Sequence, residues 1–481
     1  MGLIAAIRGW WNSMFNRNNI EDVFGVQIAV SPLMQSLQQT FKGVERGVAE
    51  WNLDRRKADG FFVKGVPSLK LASAISAEVA KKVAIGLEST VEGSPRADYI
   101  NEQYQLFLKD LRDAVIMLCN SGEIILKPYE AMRNILVTVS DFECYWPIAY
   151  DLKADLIDVI FGAVLIRDKN LYRLLERHTF DSDNGTQEIV YRAFRTDRTG
   201  GNRAFTPNSI GNPIPLSQVP EWAHLTDIVI SGLEKPLFAY IRMPNTETVE
   251  TPQLQGLPLW SKAIDRFRKA DLQEARTDWE FEGGELAINA SNDLFMISGG
   301  KKGEGPPQVM LPQGKERLYR ALDVSSTEFT METFAPEFRI DGLNKRMNQI
   351  KRDIEFLCGI SHGIISDVEN QDKTAEEVRA SKDRYFTTVS DIQSAMEDGL
   401  KHLVDSFNAI ADIQGMPTGA YDTSFVWDDS IMADRPTEFD ERLRAQGAGW
   451  LSQVENRAWW LGVDIDSEEA QNLPEMAASE F

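Results

Sequence analysis

Cysteine and histidine are scarce in this sequence of 481 residues, with three of the first and four of the second. Cys119, Cys144 and Cys358 lie far apart and fit no metal-ligand spacing. They are expected as buried thiols of a reducing compartment, and no metal and no cofactor is expected. Basic residues are also in deficit. Lys and Arg number 51 against 73 Asp and Glu, which leaves a formal net charge of −22. Tight binding to nucleic acid relies on basic side chains displacing counterions from phosphates, and an acidic surface repels a polyanion instead. Nucleic acid is therefore either no partner or one that must not stick. No apolar run approaches twenty residues, which excludes a membrane-spanning helix, and no membrane partner is expected. The apolar start MGLIAAIRGWWNSMF has only Arg8 as a charge and no cleavage site, so a secretory signal is not expected. Ala6 stands where a myristoylation signal needs Ser or Thr. Leu3, Ile4, Ile7, Trp10, Trp11, Met14 and Phe15 read as a short docking helix on this chain or a neighbour.

Signals of catalysis are thin as well. The pattern G-x-x-x-x-G-K-[ST] of a phosphate loop does not occur. Lys301 and Lys302 sit among glycines as a basic surface loop. Gly359 to Gly363 reads G-x-S-x-G, but a nucleophile elbow needs a strand before its serine and a helix after it. Here a helical pattern precedes Ser361 and a polar loop follows. His178 lies in a strand-like run without paired ligand spacing and reads as structural. Asp428 and Asp429 read as a strand end or a helix cap. The chain is not expected to be an enzyme.

Hydrophobic residues make up 43% and charged residues 26%, the balance of a globular chain of several domains. One long amphipathic helix stands out. It opens at Thr374 with Glu377 as a capping box. Val378, Tyr385, Val389, Ile392, Met396, Leu400, Leu403, Phe407 and Ile410 then recur at helical spacing. Gly415 and Pro417 stop it. A rod of roughly 60 Å is expected to outgrow one compact domain and to need neighbouring subunits over its apolar stripe.

Further helices are read over 69–87, 101–118, 258–282 and 341–358. In the third, Trp260, Ile264, Phe267, Ala275 and Trp279 are expected inward. In the fourth, Leu343, Met347, Ile350, Ile354 and Leu357 form the stripe and Gly359 the stop. Strands are read at 123–129, 134–139 and 156–167. Two more flank Asn184–Gly185, a hairpin signal. The first half is thus α+β with an antiparallel sheet. Residues 293–323 are rich in Gly and Pro with short strand-like pieces, a small module between two helices. After the long helix come a short strand, SFVWDDSI, and an acidic helical region.

The order helix, Gly-rich insertion, helix, loop, very long helix resembles the portal proteins of tailed bacteriophages. The segments NSGEIILKPYE, FECYWPIAYD, LYRLLERHTF, IGNPIPLSQVPEW and GLEKPLFAYIRMPN look like the run found in portals of siphophages of Gram-positive hosts. GLPLWSKAID, EFRIDGLNKRMNQIKRDIEFLCGIS, DKTAEEVRASKDRYFTTVSDIQ and VWDDSIMAD continue it in the same order. The resemblance covers roughly residues 69–436. It rests on collinearity, since no single segment is diagnostic.

The resemblance implies a portal fold: an α/β wing (1–257), stem helices (258–284 and 338–359) and a small α/β clip (285–337). A tunnel loop (360–373), the long helix bordering the tunnel with the rest of the wing (374–432) and a helical crown (433–481) complete it. It implies a ring, usually of twelve subunits, at one capsid vertex of the virion, assembled in the host cytoplasm. Double-stranded DNA would pass through it without sequence-specific binding. Implied partners are the terminase large subunit, the major capsid protein and scaffold, and a head-tail adaptor. Ile364, Ser366, Asp367, Asn370, Gln371 and Lys373 would face the channel. Lys345, Arg346, Lys351 and Arg352 would meet phosphates from the stem. Lys301 and Lys302 would dock the motor at the clip. Another ring-forming head, connector or baseplate component without DNA in its lumen and a cytosolic serine hydrolase using Ser361 are the competing readings.

Overall fold

The computed structural model describes residues 17–47, 66–131, 134–142, 144–167, 170–197, 210–245, 255–291, 296–298, 308–310, 318–322, 331–367, 375–427, 435–461 and 463–471. The chain is α+β and forms two compact units, Met1–Ala84 with Val91–Asp422, and Ile85–Thr90 with Thr423–Phe481. Among the described residues no helix is long and apolar enough to cross a membrane. The expected N-terminal docking helix, the Thr374 cap, Lys301, Lys302, Asn370, Gln371, Lys373, Asp428 and Asp429 lie outside the described residues.

Helices lead the first unit. α1 (Arg17–Phe24) precedes α2 (Pro32–Glu45). α2 begins where the Ser31 hydroxyl accepts the Met34 N–H at 3.1 Å and Pro32 takes the first turn, two start signals together. α3 (Leu71–Ala84), β1 (Leu87–Glu92), α4 (Pro95–Leu108) and α5 (Leu111–Ser121) follow. The single helix expected over 101–118 is two. Asp110 leaves helical geometry at φ −100° and ψ 4°, and the chain turns there.

Two antiparallel sheets come next. β2 (Glu123–Ala131) pairs with β3 (Asn134–Asp141), as expected from the sequence. A larger sheet holds β4 (Tyr145–Tyr150), β5 (Leu156–Arg167), β6 (Asn170–Asp181), β7 (Thr186–Asp197) and β8 (Asn212–Ile214) in that order. β9 (Ile228–Ser231) also pairs with β7, and β10 (Ala239–Arg242) joins the other side of β2. The β6–β7 hairpin forms with Asp181 opposite Thr186, leaving a four-residue turn. The Asp181 carboxylate accepts the Asp183 N–H at 2.9 Å and the Asn184 N–H at 3.2 Å, and Gly185 supplies φ +59°. Ile160, Leu171, Leu175 and Phe194 pack with Ile20 and Ile28, while Val159 and Phe161 pack with Ile125 and Phe238.

α6 (Ile264–Gly283) starts later than expected, because residues 259–260 turn and Ser261–Ala263 form a single 3-10 turn before it. Trp260 sits just before that 3-10 turn, stacks on Phe41 at 5.3 Å and donates its indole N–H to the Asn120 carbonyl at 3.2 Å. After α6 come β11 (Ala287–Ser291), β12 (Met296–Ser298), β13 (Gln308–Met310), β14 (Tyr319–Leu322) and β15 (Met331–Phe334). β11 is parallel to β14 and antiparallel to β15, and β12 pairs with β13. α7 (Ile340–Leu357) then runs back along α6.

α8 (Ala375–Ile413) has 39 residues, about 58 Å at 1.5 Å per residue. The expectation that its stripe needs neighbouring subunits is corrected. Tyr385, Val389, Ile392, Met396, Leu400, Leu403, Phe407 and Ile410 are all buried within this one chain. β10, β2, α3 and α4 cover them. At Gly399 the contact with β10 is so close that a Cβ would stand 2.3 Å from Ile241 Cγ1 and Cδ1. Arg96 of α4 closes the far end. Its guanidinium donates to Asn408 Oδ1 at 2.6 Å and to the carbonyls of Asn408, Met416 and Pro417 at 2.5, 3.3 and 3.2 Å. A cation at a helix C-terminus also suits the helix dipole.

In the second unit β1 pairs with β16 (Asp422–Trp427). α9 (Arg435–Gly447), α10 (Gln453–Leu461) and α11 (Glu468–Gln471) follow. Ser452 and Glu455 form a reciprocal cap at the start of α10, with N–H bonds of 2.5 and 3.1 Å. Phe439 and Trp460 pack at a tilt with ring centroids 4.8 Å apart, and Arg442 lies over Trp459 at 4.5 Å.

Candidate functional site

The α6–α7 pair and the loop after it carry the residues singled out from the sequence. Polar ties run along the pair at seven-residue steps of α6. Arg266 meets Asp353 at 3.5 Å, Gln273 donates to the Leu343 carbonyl at 3.2 Å, and Arg339 clasps Glu280. That clasp uses Nε at 2.9 Å and the main-chain N–H at 3.1 Å on Oε1, and a terminal nitrogen at 2.5 Å on Oε2. These bonds hold the Glu280 carboxyl down to about 2. Phe267, Ile350 and Ile354 are buried at the end where α6 begins and α7 ends. Toward the small-strand module the cover fails. Trp279 is 57% exposed, contrary to its expected inward position, and Phe281, Leu286 and Phe338 are exposed as well. Two helices packed on each other leave their outer faces bare, and Phe281 and Phe338 lie against each other with ring centroids 5.5 Å apart.

The four expected cations of α7 do not form one stripe. At 100° per residue Lys345 and Arg352 share a face, while Arg346 and Lys351 point to either side. Lys345 and Arg346 are exposed, whereas Lys351 and Arg352 are half-buried.

The loop begins with a helix stop of the expected kind. Gly359 takes φ +70°, and the N–H groups of Ile360 and Gly359 return to the carbonyls of Glu355 and Phe356 at 3.0 and 3.3 Å. The Gly359 carbonyl accepts the Thr388 hydroxyl of α8 at 2.9 Å. This approach also requires glycine, since a Cβ would meet Thr388 Oγ1 at 2.5 Å. Helix before and turn after is not a nucleophile elbow.

Beyond Gly359 the chain folds back on α7. Glu355, fully buried, receives five hydrogen bonds. Oε1 accepts the N–H groups of Gly363, Ile365 and Ser366 at 3.1, 2.8 and 2.9 Å. Oε2 accepts the Ser366 hydroxyl at 2.7 Å and lies 3.2 Å from His362 Nδ1. Two turns earlier Asn348 makes a second tie. Its Oδ1 accepts the Asp367 N–H at 2.8 Å and its Nδ2 donates to the Asp367 carbonyl at 3.3 Å. Of the expected channel residues, Ser366 is therefore turned inward and buried, a correction, because its hydroxyl completes the Glu355 shell. Ile364 is half-buried and Asp367 is exposed. Glu355 and Asn348 were not read from the sequence. Their signal is polar residues seven apart, next to Ile354 and Met347, on the flank of an apolar stripe.

A cleft of about 350 Å³ lies beside this loop root, bounded by Met243, Leu259, Lys262, Phe356, Thr388 and Asp391. Around β2, β6 and β7 one group of buried polar side chains is tied together internally. Glu176 meets Lys127 at 2.6 Å and His178 Nε2 at 2.6 Å. Gln187 gives its amide N–H to His178 Nδ1 at 2.7 Å while its oxygen takes the Leu237 N–H at 2.7 Å. That chain of bonds fixes the tautomer with the proton on Nε2. Burial pushes the His178 pKa down and keeps the ring neutral. Burial alone would raise the Glu176 carboxyl, but Lys127, with His178, holds it far below the carboxylate range. Cys119 and Cys358 are buried as expected, and Cys144 is only half-buried.

No protein-family model matches this chain, and no curated protein matches it. Among solved structures it is similar to a chain of "Neck of empty GTA particle computed with C6 symmetry". The TM-score is 0.40 at 14% identity, over 81% of this chain and 89% of that one. It is also similar to a chain of "Neck of native GTA particle computed with C12 symmetry", with a TM-score of 0.37 at 12% identity over the same shares. Likeness at this level fixes neither detailed fold nor function.

Proposed function

We propose that this chain is the subunit of a portal-type ring, usually of twelve copies, at one vertex of a tailed-phage capsid. Double-stranded DNA would be packaged and ejected through its axis. The observation that carries the reading is the antiparallel α6–α7 pair with exposed Trp279, Phe281 and Phe338 at its end toward the strand module. Such side chains are covered when copies stand side by side, and a closed ring is the arrangement that covers each of them equally. The pair encloses a small strand module and is followed by a 39-residue helix. The same order underlies the collinear sequence resemblance to portal proteins. In this reading α6 and α7 are the stem, residues 285–337 the clip, residues 360–373 the tunnel loop and residues 433–481 the crown.

The net charge of −22 per chain fits a conduit that repels DNA and lets it slide. Lys345 and Arg346, exposed on α7, are the stem cations best placed to touch phosphates in passing. A motor containing the terminase large subunit would dock at the clip through Lys301 and Lys302, and a head-tail adaptor would follow it. The major capsid protein and scaffold would surround the ring. The chain itself would turn over no ATP and hydrolyse no substrate. The test is replacement of Trp279 and Phe281 together by serine. Rings should fail while the wing keeps its fold, read by sedimentation and circular dichroism. Rings that form normally in this variant would remove the stem from the interface.

A further inference from the structure

The loop root has an unusual concentration of bonds on one side chain. A buried carboxylate normally shares its acceptor sites among a few partners, whereas both oxygens of Glu355 serve a single five-residue segment, 362–366. Charge-assisted bonds of this kind are roughly twice as strong as neutral ones. The segment also returns two turns along α7, about 10 Å, to reach Asn348. Without Glu355, the N–H groups of Gly363, Ile365 and Ser366 would have no carboxylate to converge on.

We propose that Glu355 is the positioning residue of this loop: its buried carboxylate folds residues 362–366 back along α7 and so sets the line along which the chain leaves the stem. Asn348 extends that line to Asp367. The half of the loop up to Asp367 is then a fixed collar seated on α7. The significance of that line for DNA rests on the function proposed above, but the latch itself does not.

Hydrogen exchange of the full-length protein tests the latch. In the wild type the amides of Gly363, Ile365, Ser366 and Asp367 should exchange slowly. Glu355→Gln offers one acceptor oxygen and sets an NH2 group against N–H donors. It should speed exchange of Gly363, Ile365 and Ser366 at least about ten-fold, with the amides of α8 and the melting midpoint unchanged. Asn348→Ala should release Asp367 alone. Protection that survives Glu355→Gln would overturn the proposal. So would a loss spread evenly over α7 and α8, which would make Glu355 a general support. If Glu355→Gln does not fold, Asn348→Ala decides: an unchanged Asp367 amide overturns the back-folded loop, and its selective release supports it. Packaging separates the two levels. A released segment with normal rings and less packaged DNA supports the functional role, and a released segment with normal packaging leaves the latch but removes its bearing on DNA.

Discussion

Replacing Gly399 by alanine should loosen α8 from β10, although alanine is the better helix former. In a helix interior alanine gains about 1 kcal/mol over glycine. Here the added methyl would stand 2.3 Å from both Cγ1 and Cδ1 of Ile241. Turning Cδ1 away does not help, because Cγ1 is held one bond from the strand-borne Cβ. Ile241 must change χ1 inside a filled core, where it is 1% exposed. Overpacking of this kind costs about 1–3 kcal/mol, so the expected net loss is up to about 2 kcal/mol, as much as about a 30-fold change in local opening. Hydrogen exchange at the amides of residues 396–403 reads it directly. The partner variant Ile241→Ala removes both clashing carbons. In that background Gly399→Ala should regain its helical advantage of about 1 kcal/mol and slow exchange. Faster exchange with Ile241 and slower exchange without it is the signature of direct contact within one chain. Slower exchange in both backgrounds would refute the packing of α8 on β10.

Other expectations follow from the same geometry. Arg96→Ala should leave the carbonyls of Asn408, Met416 and Pro417 without their donor and cost about 1–3 kcal/mol, seen as fraying and proteolysis near Gly415. Burial raises the Glu123 carboxyl above its ordinary range, although Tyr240 at 2.7 Å and Gln255 at 3.0 Å act against this. A raised carboxyl pKa means that the folded state binds the proton more tightly, so its contribution to stability falls as pH rises from the ordinary carboxylate value. Glu123→Gln should therefore gain on the wild type as pH increases from about 4.5 to 8 in melting experiments, and a difference that shrinks with pH would contradict this. Burial pushes Cys119 and Cys358 up to about 12. Alkylation of the native protein should thus mark Cys144 first, checked by peptide mapping.

Strands were legible where β-branched and aromatic residues run together, as in 156–167, which is the full extent of β5. α8 was legible because its period is unbroken and Gly415 and Pro417 end it. Its environment was not, since β10 and α3–α4 lie more than a hundred residues away in sequence. A stripe looks the same whether its own chain or a neighbour covers it. Trp279 shows the reverse failure: it was read into the inward stripe of α6, yet at 100° per residue it stands opposite buried Ala270 and is exposed, although Arg339 reaches the next residue, Glu280. The loop after Gly359 read only as polar because its residues carry ordinary turn signals. Its anchor is a glutamate on another element, and a helical Glu flanking an apolar stripe is most often a solvated charge. The Asn184–Gly185 hairpin was legible from its dipeptide, but the four-residue turn also depends on Asp181, whose carboxylate takes the N–H groups of 183 and 184.

Electron micrographs of the purified full-length protein in negative stain address the proposed ring most directly. Closed rings with an axial opening wide enough for duplex DNA, with the stem pairs of neighbouring copies in contact, are the predicted result. Monomers alone at high concentration, or closed rings with an opening too narrow for duplex DNA, would contradict it.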